Sequence, residues 1–159
     1  PRSTQAKTLF PTRRSSDLIN LYELKKSFAK FERRKITQSS EAAAYIRQFY
    51  FDDLEIFESS FILLLNRANI TIGYVKLSQG GICATIMDVK LICKYAVDAL
   101  AGSVIIAHNH PAGQATPSEA DIEITRKIKA ALDIVDSKLI EHIILTADSY
   151  YSFADNGKI

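Results

Sequence analysis

The chain has 159 residues, 47% of them hydrophobic and 24% charged, the length and composition of one globular domain with a single core and without room for a second. Its 20 basic and 18 acidic residues leave a formal net charge of +2, part of it in the local runs "PTRR" and "RRKITQ", so charge gives no argument for nucleic acid or an anionic membrane as partner. No apolar run approaches the roughly 20 residues that span a bilayer and no signal peptide opens the sequence, and a soluble cytoplasmic protein is the expectation.

Residues 1–19, "PRSTQAKTLFPTRRSSDLI", have neither helical nor strand periodicity and read as a disordered tail. Within them Phe10 to Leu18 looks like the translation of a sequencing-adapter oligonucleotide, and no function is assigned to this stretch. Residues 20–38 form an N-terminal extension, and the globular domain is expected over 39–159. "SSEAAAYIRQFY", 39–50, predicts a helix capped by Ser39 or Ser40, with Ala43, Ile46, Phe49 and Tyr50 as its buried stripe. Runs 60–66 and 70–78 predict strands, joined as a hairpin through "RAN". A short strand is expected over 80–87, then a helix capped by Asp88 and closed at Gly102. Residues 103–110 predict a buried strand, 118–135 a helix with Ile122, Ile128 and Leu132 among its apolar positions, and 139–146 and 150–154 two more strands. This alternation predicts an α/β sandwich around one mixed β-sheet flanked by helices. Cys83 and Cys93 lack Cys-x-x-Cys spacing and read as reduced core residues.

Two of the three histidines, His108 and His110, stand one residue apart at the end of the apolar run "SVIIAHNH". Residues i and i+2 of a strand share a face, so both imidazoles can address one point while Asn109 faces away. With ten residues between it and His110, Asp121 falls in the first turn of the next helix, where it can point back and add an oxygen. Two imidazoles and a carboxylate are three-quarters of a tetrahedral zinc site, with the fourth position left for water. Each part also has an ordinary reading: His-x-His on a strand is more often packing, and Ser118 with Asp121, or Thr116 with Glu119, can be a capping box with Pro117 in the first turn. The third histidine, His142, reads as packing at a strand face or as support for the other two.

The pattern His-x-His-Pro, with Ser118 and Asp121 at these spacings, resembles the zinc motif of the JAMM (MPN/JAB) metallopeptidase superfamily. More closely, "AHNHPAG" and "TPSEAD" are similar to the "HNHPSG" and "PSxxD" signature of bacterial RadC-like JAB-domain proteins. The likeness extends from about Leu21 to Ile159, including "ESSFILLLNRANITIGYVKLSQGG" and "IEHIILTADSYYSFAD". It implies a JAMM/MPN-type, cytidine-deaminase-like sandwich and a Zn2+ ion on His108, His110 and Asp121. It also implies Glu58 as general base and later proton donor, and Ser118 as donor to the oxyanion. The implied function is hydrolysis of an amide or isopeptide bond in a peptide or protein substrate. Glu58 gains this role only through the resemblance, and only if strand 60–66 lies beside strand 103–110. Ala112 departs from the Ser common at that place, which is not a ligand position.

The competing function is a non-catalytic or DNA-repair-associated binding module, after the historical label of RadC-like proteins. The near-neutral charge and the lack of a Gly-rich hairpin argue against direct nucleic-acid binding, no membrane partner is expected, and a homodimer is compatible with the sequence. The His-x-Glu and Pro-Cys-x-x-Cys pair of a nucleobase deaminase and the His-Glu-x-x-His of a thermolysin-like enzyme are both missing. The letters "HNH" do not make the dispersed site of the nuclease of that name.

Overall fold

The computed structural model describes residues 31–50, 54–80 and 87–159. Its elements run α1 (Ser39–Arg47), β1 (Ser59–Leu65), β2 (Thr71–Gln79), α2 (Val89–Asp98), β3 (Ser103–Asn109), α3 (Glu119–Ile134), β4 (Lys138–Leu145) and β5 (Tyr150–Ser152). The sequences of β1 and β3, "SSFILLL" and "SVIIAHN", are buried at every residue, as expected of strands covered on both faces. They occupy the middle of a sheet ordered β2-β1-β3-β4-β5. β1 pairs antiparallel with β2 and β3, β3 pairs parallel with β4, and β5 returns antiparallel to β4. The sheet is therefore mixed, and α3 makes the crossover that a parallel pair requires.

Alternation along the strands divides the core in two. Phe61, Leu63, Leu65, Ile105, Ala107, Ile143 and Leu145 face α1 with Ala42, Ala43, Tyr45 and Ile46. Ile62, Leu64, Val104 and Ile106 face the other way, onto Ile92 and Ala96 of α2 and Ile128 and Leu132 of α3. Even-numbered residues of β1 and β3 thus look toward α3, and odd-numbered residues toward α1. The strand and helix expectations within the described residues hold in type and order. The hairpin turns at Arg67–Asn69, where Asn66 Oδ1 accepts from the N–H groups of Ala68 and Ile70 at 2.9 and 3.0 Å and Asn69 takes φ 56°.

Several boundaries differ from the sequence reading. The N-cap of α1 is Gln38, which makes no side-chain cap bond. Glu41 Oε2 instead reaches back to the N–H and hydroxyl of Thr37 at 2.8 and 2.9 Å, and the Ser39 hydroxyl donates to Asp155. The helix stops at Arg47, whose guanidinium donates to the carbonyls of Thr146, Ala147 and Ser149 in the β4–β5 loop, so Phe49 and Tyr50 pack beyond the helix. α2 stops at Asp98, and Leu100, not Gly102, takes the left-handed conformation, at φ 51°. Gly102 is required for close approach: a Cβ there would lie 2.8 Å from Arg67 Cγ and 2.9 Å from Arg67 N. Pro117 precedes the Ser118 cap. Cys93 is half-buried and its thiol is pushed up by burial. The tail 1–19, most of the extension 20–38, Cys83 and nearly all of the strand expected over 80–87 lie outside the described residues.

Glu141 ties β5 to β4. Its carboxylate accepts from the Ser152 hydroxyl at 2.6 Å, from the His142 N–H at 2.8 Å and from the Ala154 N–H at 3.1 Å. Glu141→Ala strands three donors and should lower stability by about 3 kcal/mol in urea unfolding, whereas Glu141→Gln, which keeps an acceptor and a donor, should stay within about 1 kcal/mol. Burial raises the Glu141 pKa against its hydrogen bonds, so the ionised form costs stability at neutral pH and the cost fades as pH falls through the raised value. Wild type should accordingly gain stability relative to Glu141→Gln between pH 7 and 5, and a constant difference would contradict this.

Candidate metal centre

His108 is buried near the C-terminal end of β3, and His110 follows the strand, its N–H donating to Leu145 O at 2.9 Å. Both project toward α3, as i and i+2 residues must. α3 begins at the exposed Ser118, which forms a capping box with Asp121: the Asp121 N–H donates to Ser118 Oγ at 3.2 Å, and the Ser118 N–H donates to Asp121 Oδ2 at 2.7 Å. The Ser118 hydroxyl also donates to Oδ2, at 2.6 Å. With Oδ2 so engaged, Oδ1 is left facing His108 Nε2 at 3.2 Å. His110 Nε2 lies 2.9 Å from His108 Nε2 and 3.8 Å from Asp121 Oδ2. The capping box and the proposed ligand role are thus compatible, because the box aims the carboxylate.

The neighbours of the two rings determine which nitrogens carry protons. Thr125 donates its hydroxyl proton to the Asp121 carbonyl at 2.5 Å, so at its 2.7 Å contact with His142 Nδ1 it can only accept. His142 is fully buried, and burial holds its pKa well below the ordinary range. It is therefore a neutral ring protonated at Nδ1, and its Nε2 accepts from His108 Nδ1 at 2.9 Å. His110 Nδ1 donates to the Gln114 carbonyl at 2.7 Å. With both rings neutral, as ligation through Nε2 requires, the two Nε2 atoms are lone pairs, directed at each other and at a carboxylate oxygen. Such a group repels itself unless a cation stands within it: a shared proton satisfies one pair of atoms, and a metal ion satisfies all three. Burial raises the Asp121 pKa, but positive charge at His108 and the Ser118 hydrogen bonds outweigh this and hold the carboxyl well below the usual range, so the lowering holds only with a proton or a metal ion within the cluster.

The donor set fits zinc, with two imidazoles and one carboxylate rather than the all-oxygen shell of calcium or magnesium. Ligand atoms of all three residues lie within 4.8 Å of one another, and tetrahedral coordination at zinc bond lengths separates ligand atoms by about 3.3 Å. His108 is sealed from solvent, while the side chains of His110 and Asp121 are 21% and 15% exposed. An ion held there would have one side open to water and substrate.

β1 lies beside β3, the arrangement that a role for Glu58 needs. Ser60 pairs with His108, and continuing that antiparallel register two residues sets Glu58 opposite His110, just outside the ladder. Glu58 is half-buried and its carbonyl accepts from Gly80 N–H at 2.8 Å. Asn109, the residue between the histidines, holds this segment. Its Oδ1 accepts from the Ser59 N–H at 2.7 Å, and its Nδ2 donates to the carbonyls of Leu54 and Phe57 at 2.6 and 2.9 Å.

The RadC-like JAB domain model matches residues 36–158. The chain belongs to the RadC-like JAB-domain family. Among curated relatives it is 44% identical over 124 residues to a UPF0758 protein of Flavobacterium johnsoniae, covering 78% of this chain and 53% of that protein. It is 40% identical over 126 residues to a UPF0758 protein of Porphyromonas gingivalis, covering 79% and 55%. The chain spans about half the length of these relatives. The mixed sheet flanked by helices agrees with a JAB/MPN fold, and no helix among the described residues is long and apolar enough to cross a membrane.

Sequence reasoning missed Asn109, Thr125 and Gln114 as partners of the site. The one available signal was Thr125 four residues after Asp121, on the same helix face. Asn109→Ala should lower stability by about 3 kcal/mol in urea unfolding, since it leaves one N–H and two carbonyls without their partner. Asn109→Asp should cost nearly as much, because a carboxylate cannot donate to Leu54 and Phe57; a neutral Asn109→Asp would contradict the clamp.

Proposed function

We propose that this RadC-like JAB domain is a zinc-dependent hydrolase that cleaves an amide or isopeptide bond in a peptide or protein substrate. The observation that carries the reading is the convergence of His108 Nε2, His110 Nε2 and Asp121 Oδ1, with the other ring nitrogens committed to hydrogen bonds elsewhere. Zinc held by these three atoms would make water acidic enough to react near neutral pH and would polarise a carbonyl. His108 and His110 keep their Nε2 lone pairs available through His142 and Gln114. Ser118 fixes Asp121 by donating to Oδ2, leaving Oδ1 for the ion.

Glu58, on the strand edge opposite His110, takes the proton of the attacking water and returns it to the departing amine nitrogen. That service is worth on the order of 10²- to 10⁴-fold in rate. Ser118, exposed at the positive end of α3, donates to the oxygen of the tetrahedral intermediate once its hydroxyl turns away from Asp121 Oδ2. The same side chain thus orients a ligand in the resting site and stabilises charge during reaction.

Elemental analysis of purified protein should give about one zinc per chain, lost in Asp121→Ala. Glu58→Gln should retain the zinc and lose on the order of 10²- to 10⁴-fold in cleavage of isopeptide or peptide substrates. Unchanged turnover would remove Glu58 from the mechanism. No zinc after reconstitution would make the domain a binding module rather than a hydrolase.

A further inference from the structure

The His-x-His and Ser-x-x-Asp motif ends at Asp121, but the hydrogen-bond chain that organises the site does not. His142 lies on β4 opposite Ile106 of β3, diagonal to His108 and on the same face of the sheet. It is fully buried, with Phe153 stacked on its ring at 4.4 Å and 14°. A leucine or phenylalanine would fill such a space without any polar requirement. Instead both nitrogens of a buried ring are engaged, one by Thr125 Oγ1 at 2.7 Å and the other by His108 Nδ1 at 2.9 Å. Thr125 in turn donates to the backbone carbonyl of Asp121. The connections close a ring: Asp121 backbone, Thr125, His142, His108 and back to the Asp121 carboxylate at 3.2 Å.

We infer that His142 and Thr125 are positioning residues for the metal centre, holding His108 with its proton on Nδ1 and its Nε2 lone pair turned to the ion. This rests on reading the cluster as a metal site. A ring that ligates through Nε2 keeps its proton on Nδ1, so His108 donates to His142 Nε2; His142 then carries its own proton on Nδ1 and donates to Thr125 Oγ1, whose single hydroxyl proton goes to the Asp121 carbonyl. Ligand histidines commonly give their second N–H to a carboxylate or a backbone carbonyl; here the acceptor is a neutral imidazole oriented by a threonine. Because Thr125 and Asp121 share α3, movement of that helix shifts the carboxylate and the support of His108 together.

The test compares zinc affinity, by competition with a chromophoric chelator, for the wild-type chain, His142→Leu, His142→Gln and Thr125→Val. Nitrogen-15 NMR of the histidine rings in the metal-free proteins is recorded alongside. His142→Leu should bind zinc 10- to 100-fold more weakly and move the His108 proton from Nδ1 toward Nε2. His142→Gln, whose amide oxygen can accept from His108, should recover most of the affinity. Thr125→Val, which retains the imidazole and nearly the same volume, should fall between them and answers the question if His142→Leu does not fold. Wild-type zinc binding with all variants within twofold and an unchanged His108 tautomer would overturn the inference alone. A wild-type chain that binds no zinc would overturn the metal reading and the inference with it.

Discussion

β3 is paired along both edges and covered on both faces, so Ser103–Asn109 has no freedom to move independently of the sheet. The antiparallel register with β1 brings the Glu58 segment to the histidine end of the strand. The parallel register with β4 sets His142 diagonal to His108, and the crossover between β3 and β4 delivers Asp121 at the start of α3. One constrained strand thus positions three separate segments, which a site on flexible loops would not hold as closely. Asn109 takes part on the opposite face, joining the strand to the Leu54–Ser59 segment while its two histidine neighbours face α3.

The electrostatics follow from the same placement. Burial at the strand end keeps His142 neutral, and Thr125, by accepting the His142 Nδ1 proton, turns the His142 Nε2 lone pair to His108 Nδ1. Gln114 does the same for His110 from the loop. The capping box, a device for starting a helix, also fixes one Asp121 oxygen and presents the other. The same hydrogen bonds thus start the helix and orient the carboxylate of the candidate metal site.

Much of this was legible in the sequence because the relevant signals are local. His-x-His on an apolar run gives a shared face, and Ser-x-x-Asp after a Pro/Gly loop gives a helix start with its carboxylate turned back. The strands and helices followed from unbroken apolar runs and 3.6-residue spacing. What the sequence left open or missed depends on neighbours distant in the chain: it offered His142 as packing or as support for the other two histidines, and the choice is made by its contact with His108 across 34 residues, while Asn109 meets Leu54 across 55. Periodicity reports which side of an element is buried, not which diagonal partner it meets on another strand. The α1 cap was misplaced for a related reason, since Glu41 closes onto Thr37 and frees Ser39 to bond Asp155, and Gly102 proved to be a contact glycine because Arg67 crosses it.

Crystals grown with zinc, measured at the zinc absorption edge, test the central claim most directly. The account predicts a single anomalous peak about 2.0 to 2.2 Å from His108 Nε2, His110 Nε2 and an Asp121 carboxylate oxygen, with His142 still bonded to His108 Nδ1. A strongest peak elsewhere, with the two Nε2 atoms still 2.9 Å apart around a shared proton, would contradict it.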